Sequence, residues 1–186
     1  THMKRSIFST TLVAALMTVA APAWADRTCS GSIGTETISD NLVIPANSTC
    51  RLNGTQINGN LEVKTGAKLT AKQIKLSGNL ESDDGFGAVD VSDSQISGNV
   101  DLDDGGAVTL TSNRISGNID LDDNRAAALL RSNQVAGNIE VENYRANSRI
   151  ERNQVNGNLK CEDNRPAPTG GSNQVNGNKE QQCQSL

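Results

Sequence analysis

The chain has 186 residues, only 2% of them aromatic, and a formal net charge of −4 from 17 Lys and Arg against 21 Asp and Glu. A mildly acidic balance argues against nucleic acid and anionic membranes as partners. One domain of ordinary size is expected, with a core that must form without aromatic bulk.

Thr1-His2 ahead of Met3 reads as a cloning remnant. Residues 3–25 follow the plan of a secretory signal peptide: Lys4-Arg5, a mostly apolar run from Ile7 to Ala21, then Ala23-Trp24-Ala25 with cleavage expected after Ala25. The apolar run is too short and too broken by Ser and Thr for a spanning helix. Cys29 does not directly follow the cleavage point, so a lipid anchor is not expected. The mature chain, residues 26–186, is expected to be exported and soluble, secreted or periplasmic. Losing Lys4 and Arg5 takes 17 basic residues to 15 against 21 acidic ones, a net charge of −6. His2 leaves too, and Phe86 and Tyr144 become the last aromatics.

From there the chain repeats itself. Gly-Asn pairs begin at Gly59, Gly78, Gly98, Gly117, Gly137, Gly157 and Gly177, with a degenerate copy at Asp40-Asn41 and a spacing of 19 or 20 residues. The segments around five of them run Gln95-Ile-Ser-Gly-Asn-Val-Asp-Leu, Arg114-Ile-Ser-Gly-Asn-Ile-Asp-Leu, Gln134-Val-Ala-Gly-Asn-Ile-Glu-Val, Gln154-Val-Asn-Gly-Asn-Leu-Lys-Cys and Gln174-Val-Asn-Gly-Asn-Lys-Glu-Gln. A fixed period of this length marks a solenoid. Within a unit, Ile96, Val100 and Leu102 alternate with Ser97, Asp101 and Asp103, which is strand periodicity. A second alternating pair precedes each glycine, as in Val89 with Val91 and Val108 with Leu110. Two or three short strands per unit cannot bury their apolar side alone. The expected fold is therefore all-β, a single-domain parallel β-helix of about eight turns. Strict hexapeptide repeats, which favour the left-handed form, are absent, so a right-handed coil is expected.

Stacking sets equivalent residues about 4.8 Å apart in columns. One inward column runs Ile57, Leu76, Ile96, Ile115, Val135, Val155, Val175; a second runs Leu61, Leu80, Val100, Ile119, Ile139, Leu159. A third runs Ile44, Val63, Ser82, Leu102, Leu121, Val141, Cys161. Lys179 and Gln181 stand where the last turn should be apolar, which reads as a polar cap. Asn60, Asn79, Asn99, Asn118, Asn138, Asn158 and Asn178 form an asparagine column, and Asn113, Asn133, Asn153 and Asn173 a second. Asn tolerates left-handed corner angles and stacked amides bond along the axis, while Gly beside it supplies the tight turn. This structural role is preferred to a polar ligand-binding stripe.

Cys29 and Cys50 are 21 residues apart and Cys161 and Cys183 are 22, each close to one turn. Any other pairing would cross about five turns, roughly 24 Å at strand spacing, so Cys29–Cys50 and Cys161–Cys183 are the expected staples. Export permits oxidation. Redox or metal use has no Cys-x-x-Cys spacing to support it.

The segment from Gly157 through Cys183, Gly157-Asn-Leu-Lys-Cys-Glu-Asp-Asn-Arg-Pro-Ala-Pro-Thr-Gly-Gly-Ser-Asn-Gln-Val-Asn-Gly-Asn-Lys-Glu-Gln-Gln-Cys183, resembles the C-terminal signature of an uncharacterised family of secreted bacterial β-helical repeat proteins. That resemblance implies an exported β-helix closed by Cys161 and Cys183 and brings no catalytic residues. The repeat is also loosely similar to that of bactofilins, which polymerise through stacked β-helix ends, although bactofilins are cytoplasmic and lack end-stapling cysteines.

Enzymes on this architecture wall a cleft with long loops, and repeats that vary by one residue leave none. Lacking a histidine, the mature chain has no Ser-His or Cys-His pair, and a flat wall does little to exclude water. No catalysis is expected. Two acidic columns remain: Asp101, Asp120 and Glu140, then Asp103, Asp122, Glu142 and Glu162. Carboxylates at turn spacing repel by roughly 0.9 kcal/mol in water-like dielectric, so something should compensate. Ca²⁺ held by Asp101, Asp103, Asp120 and Asp122 is one candidate. A solvated face balanced by the Arg125, Arg145, Arg165 column is the preferred one. Ring stacking on carbohydrate has only Phe86 and Tyr144 to use, and Thr109 and Thr111 lack the column an ice-binding array needs. The leading expectation is a rigid structural or interaction protein of the cell envelope or matrix. A polysaccharide-binding module, Ca²⁺-assisted, is the runner-up, and end-to-end polymerisation the third.

Overall fold

The computed structural model describes residues 26–186; the expected leader lies outside the described residues. Every regular element in the described part is a strand, and all strand pairs are parallel. Each turn contributes one strand to each of three walls, as in Val100–Asp103, Ala107–Thr111 and Arg114–Ile115. The first wall has nine strands, from Arg27–Thr28 to Lys179–Gln181. The second has eight, from Gly31–Ile33 to Thr169–Gly171, and the third eight, from Thr37–Ile38 to Gln174–Val175. The result is a parallel β-solenoid of about eight turns, as the repeat requires.

Register follows the expected columns. Ile57, Leu76, Ile96, Ile115, Val135 and Val155 stack in the third wall and are buried. Leu61, Leu80, Val100, Ile119, Ile139 and Leu159 do so in the first wall. Burial of an aliphatic side chain contributes about 1.5–3 kcal/mol, and each turn adds several. The interior also holds the bulk that composition seemed to deny it. Phe86 is 2% exposed and Tyr144 fully buried, so neither offers a ring to a sugar. Room for Phe86 comes from the next turn, where a Cβ on Gly105 would lie 2.0 Å from the ring.

Corner geometry differs from the expectation. None of the seven ladder asparagines has positive φ. Left-handed residues form two other columns: Asn47, Gly66, Gly85, Asp104, Asp123, Asn143 and Asp163 after the first wall, and Gly54, Gln73, Asp93, Ser112, Ser132, Arg152 and Ser172 after the second. The Gly of each Gly-Asn pair serves close approach instead. A Cβ on Gly78 would sit 2.1 Å from Asn60 Oδ1 and 2.6 Å from Gly59 O.

Both ends are stapled. Cys29 is bonded to Cys50 and Cys161 to Cys183, with Cα atoms 5.6 and 5.1 Å apart. Residues 182–186 fold back over the last turn, burying Cys183 and Leu186. Lys179 donates to the Leu186 carbonyl, so the polar cap is fastened by the tail that covers it.

Candidate functional site

The outer asparagine ladder is a backbone device. Each side-chain carbonyl accepts the N–H of the next asparagine, from Asn60 onto Asn41 at 2.9 Å through Asn178 onto Asn158 at 2.9 Å. The degenerate Asn41 therefore starts the ladder. The inner one runs the opposite way: Asn113 Oδ1 accepts from Ser94 N, Asn133 Oδ1 from Asn113 N, and Asn153 Oδ1 from Asn133 N, all at 3.0 Å. Its members are buried, and their Nδ2 groups donate to wall carbonyls such as Leu110 O at 2.8 Å. A third buried pair, Asn124 and Asn164, caps Gly105 N and Tyr144 N at 2.8 and 2.9 Å. No column in the repeat text pointed to Asn124 or Asn164, because the residues stacked with them are Phe86, Gly105 and Tyr144. In both ladders the side-chain oxygens are engaged by backbone N–H groups of the adjacent turn.

The first wall carries the acidic columns. Asp101 lies opposite Asp120 and Asp103 opposite Asp122, with Glu140 and Glu142 on the following turn. The expected arginine balance does not reach them: Arg125 pairs with Asp104 at the corner, 2.9 Å away, and Arg145 with the Asp163 carbonyl. Lysines flank the patch instead. Lys64 contacts Glu62 and Asp83, and Lys160 reaches Glu142 at 2.6 Å and Glu162 at 2.7 Å. Among the described residues, Asp101, Asp103, Asp120 and Asp122 have no Lys or Arg partner.

Asp103 and Asp120 hold their protons more tightly than an ordinary carboxylate. Partial burial, with Asp101 alongside, pushes Asp103 up to about 7. Partial burial and the charge of Glu140 push Asp120 up to about 6. Two of the four carboxylates already serve the fold: Asp103 accepts from Asp122 N at 3.0 Å, and Asp122 from Asn143 Nδ2 at 2.8 Å. Among the described residues, no group of three or more His, Cys, Asp or Glu is arranged to hold a metal ion.

The third wall shows a different chemistry, outside the columns expected from the repeat. Its outward strand column runs Thr37, Gln56, Lys75, Gln95, Arg114, Gln134, Gln154, Gln174. The parallel column two residues on is Ser39, Asn58, Ser77, Ser97, Ser116, Ala136, Asn156, Asn176. All sixteen positions are exposed and none is acidic, in a chain whose net charge is −4. Shallow troughs of about 300 and 350 Å³ flank the Arg114–Gln134 ridge, one over Ser116, Ala136 and Asn156, the other beside Ser112, Ser132 and Asp93. The available signal was the recurring Gln or Arg two residues ahead of Ser, Ala or Asn in six of the eight copies, with Thr37 and Lys75 in the other two. No family model, curated protein or solved structure matches the chain.

Proposed function

We propose that this chain is a non-enzymatic structural and interaction protein, exported to the cell envelope or matrix, whose stiff prism presents flat polar faces. The carrying observation is the closed architecture: three parallel walls over about eight turns, with a disulfide at each end. Two disulfides fit an oxidising, extracytoplasmic compartment. Among the described residues, no helix is long and apolar enough to cross a membrane.

Stiffness follows from the register. Strands are hydrogen-bonded to the turns before and after, and two amide ladders of opposite polarity tie the corners. Polar depressions on the outside are shallow and open, which suits the side of an extended partner better than a small molecule.

The test is fractionation of the producing cells followed by digestion with proteinase K. Full-length chain in the extracytoplasmic fraction, resisting protease until disulfides are reduced under mild denaturant, is the expected result. Recovery in the cytoplasm, or rapid digestion of the oxidised protein, sinks the reading.

A further inference from the structure

Resting on that scaffold reading, we infer that the third wall binds a linear uronic-acid polysaccharide, with Arg114 as its central contact. Charge selects the occupant. An otherwise acidic protein keeps one exposed strip of two eight-residue columns free of carboxylates and places Lys75 and Arg114 on it. Arg114 has no carboxylate partner among the described residues, unlike Arg125, Arg131 and Arg149, which are paired. The nearest acid at the trough rim, Asp93, lies 3.9 Å from Lys72.

Chemistry narrows the class. Around Arg114 the ridge is amide, with Gln95 on one side and Gln134 and Gln154 on the other, and the adjoining column is Ser97, Ser116, Ala136 and Asn156. Amides and hydroxyls repeating at about 4.8 Å offer donors and acceptors at close to the length of one sugar ring in an extended chain. Most of them are unspent: the hydrogen bonds within these columns are Gln56 to Asn58, away from the troughs, and Asn176 to Asn156, the latter a residue that lines one trough. Nucleic acid would ask for many more cations and for stacking rings, while both described aromatics are buried. A uronic-acid glycan, with hydroxyls throughout and a carboxylate on each ring, complements an amide strip carrying isolated cations.

The test is affinity gel electrophoresis of the full chain at low salt, with polygalacturonate as probe and neutral dextran and poly(dT) as comparators. Polygalacturonate should retard the wild type more than either comparator. Arg114→Glu should weaken retardation at least ten-fold, and Ser116→Trp, which fills the trough from an exposed position, should do likewise. Asp120→Asn on the first wall should leave it unchanged. No retardation by polygalacturonate, equal retardation by dextran or poly(dT), or wild-type behaviour of both third-wall variants would overturn the inference. Protease resistance is measured separately, so loss of binding with resistance intact rejects the ligand and leaves the scaffold standing.

Discussion

Asn99 occupies the space where a side chain of Gly117 would begin. Its Oδ1 would lie 2.1 Å from a Cβ on Gly117, and the same oxygen accepts the Asn118 N–H at 2.9 Å. The missing methyl of one turn and the amide of the turn before it are therefore one feature, and it recurs along the coil.

Replacing Gly117 with Ala should destabilise the protein by about 1–3 kcal/mol, the cost typical of overpacking against groups that cannot retreat. Gly34 has nothing within 4 Å of a built Cβ, and its Ala variant should stay within about 0.5 kcal/mol of wild type. Urea midpoints of the two variants decide it, and equal midpoints would remove the packing argument.

The two ladders should not be equivalent. Asn133→Ala strips the buried Asn113 N–H of its acceptor and Leu110 O of a donor. Stranding these groups should cost about 2–4 kcal/mol, whereas Asn118→Ala, at an exposed corner, should cost about 1 kcal/mol. Melting temperatures in the reverse order would contradict the burial difference.

Tyr144 is buried near Asn124, its hydroxyl makes no hydrogen bond of normal geometry among the described residues, and burial pushes its pKa up. Tyr144→Phe should therefore be neutral or stabilising by up to about 1 kcal/mol. Tyr144→Ala should lose about 3–5 kcal/mol through the cavity it leaves. A Phe variant that melts markedly lower would mean the hydroxyl is bonded after all.

Stability should rise as the solution is acidified from pH 8 to pH 5. The folded protein holds protons on Asp103 and Asp120 up to about 7 and about 6, against an ordinary value of 3.8. Through that window the native state binds more protons than the unfolded one, so stability falls as pH rises and levels off above about 7. Glu151 works the other way: the hydrogen bond from Arg149 lowers its pKa, so its contribution persists at pH 5 and fades only in stronger acid. Asp103→Asn, which keeps an acceptor for Asp122 N, should raise the melting temperature at pH 8 and flatten the profile. A melting temperature that drops from pH 8 to pH 5 would refute the assignment.

Much of this molecule was legible in the sequence alone. The 19- or 20-residue period and the in-out alternation of Ile96, Val100 and Leu102 leave a stacked coil as the way to bury every apolar face. A separation of one turn likewise puts Cys29 beside Cys50 and Cys161 beside Cys183. Corners were decided only by the tertiary structure, because there the alternation stops. Whether Asp104 or Asn99 turns left-handed depends on how the closed turn meets its neighbours, and the direction of an amide depends on which adjacent turn offers a free N–H. The same holds for Phe86 and Tyr144, which look like surface residues until the vacancy at Gly105 draws the Phe86 ring inward. It holds also for Lys64 and Lys160, which replace the arginines as partners of the acidic wall because their turns, and not those of Arg125 and Arg145, bring the cation onto the sheet face.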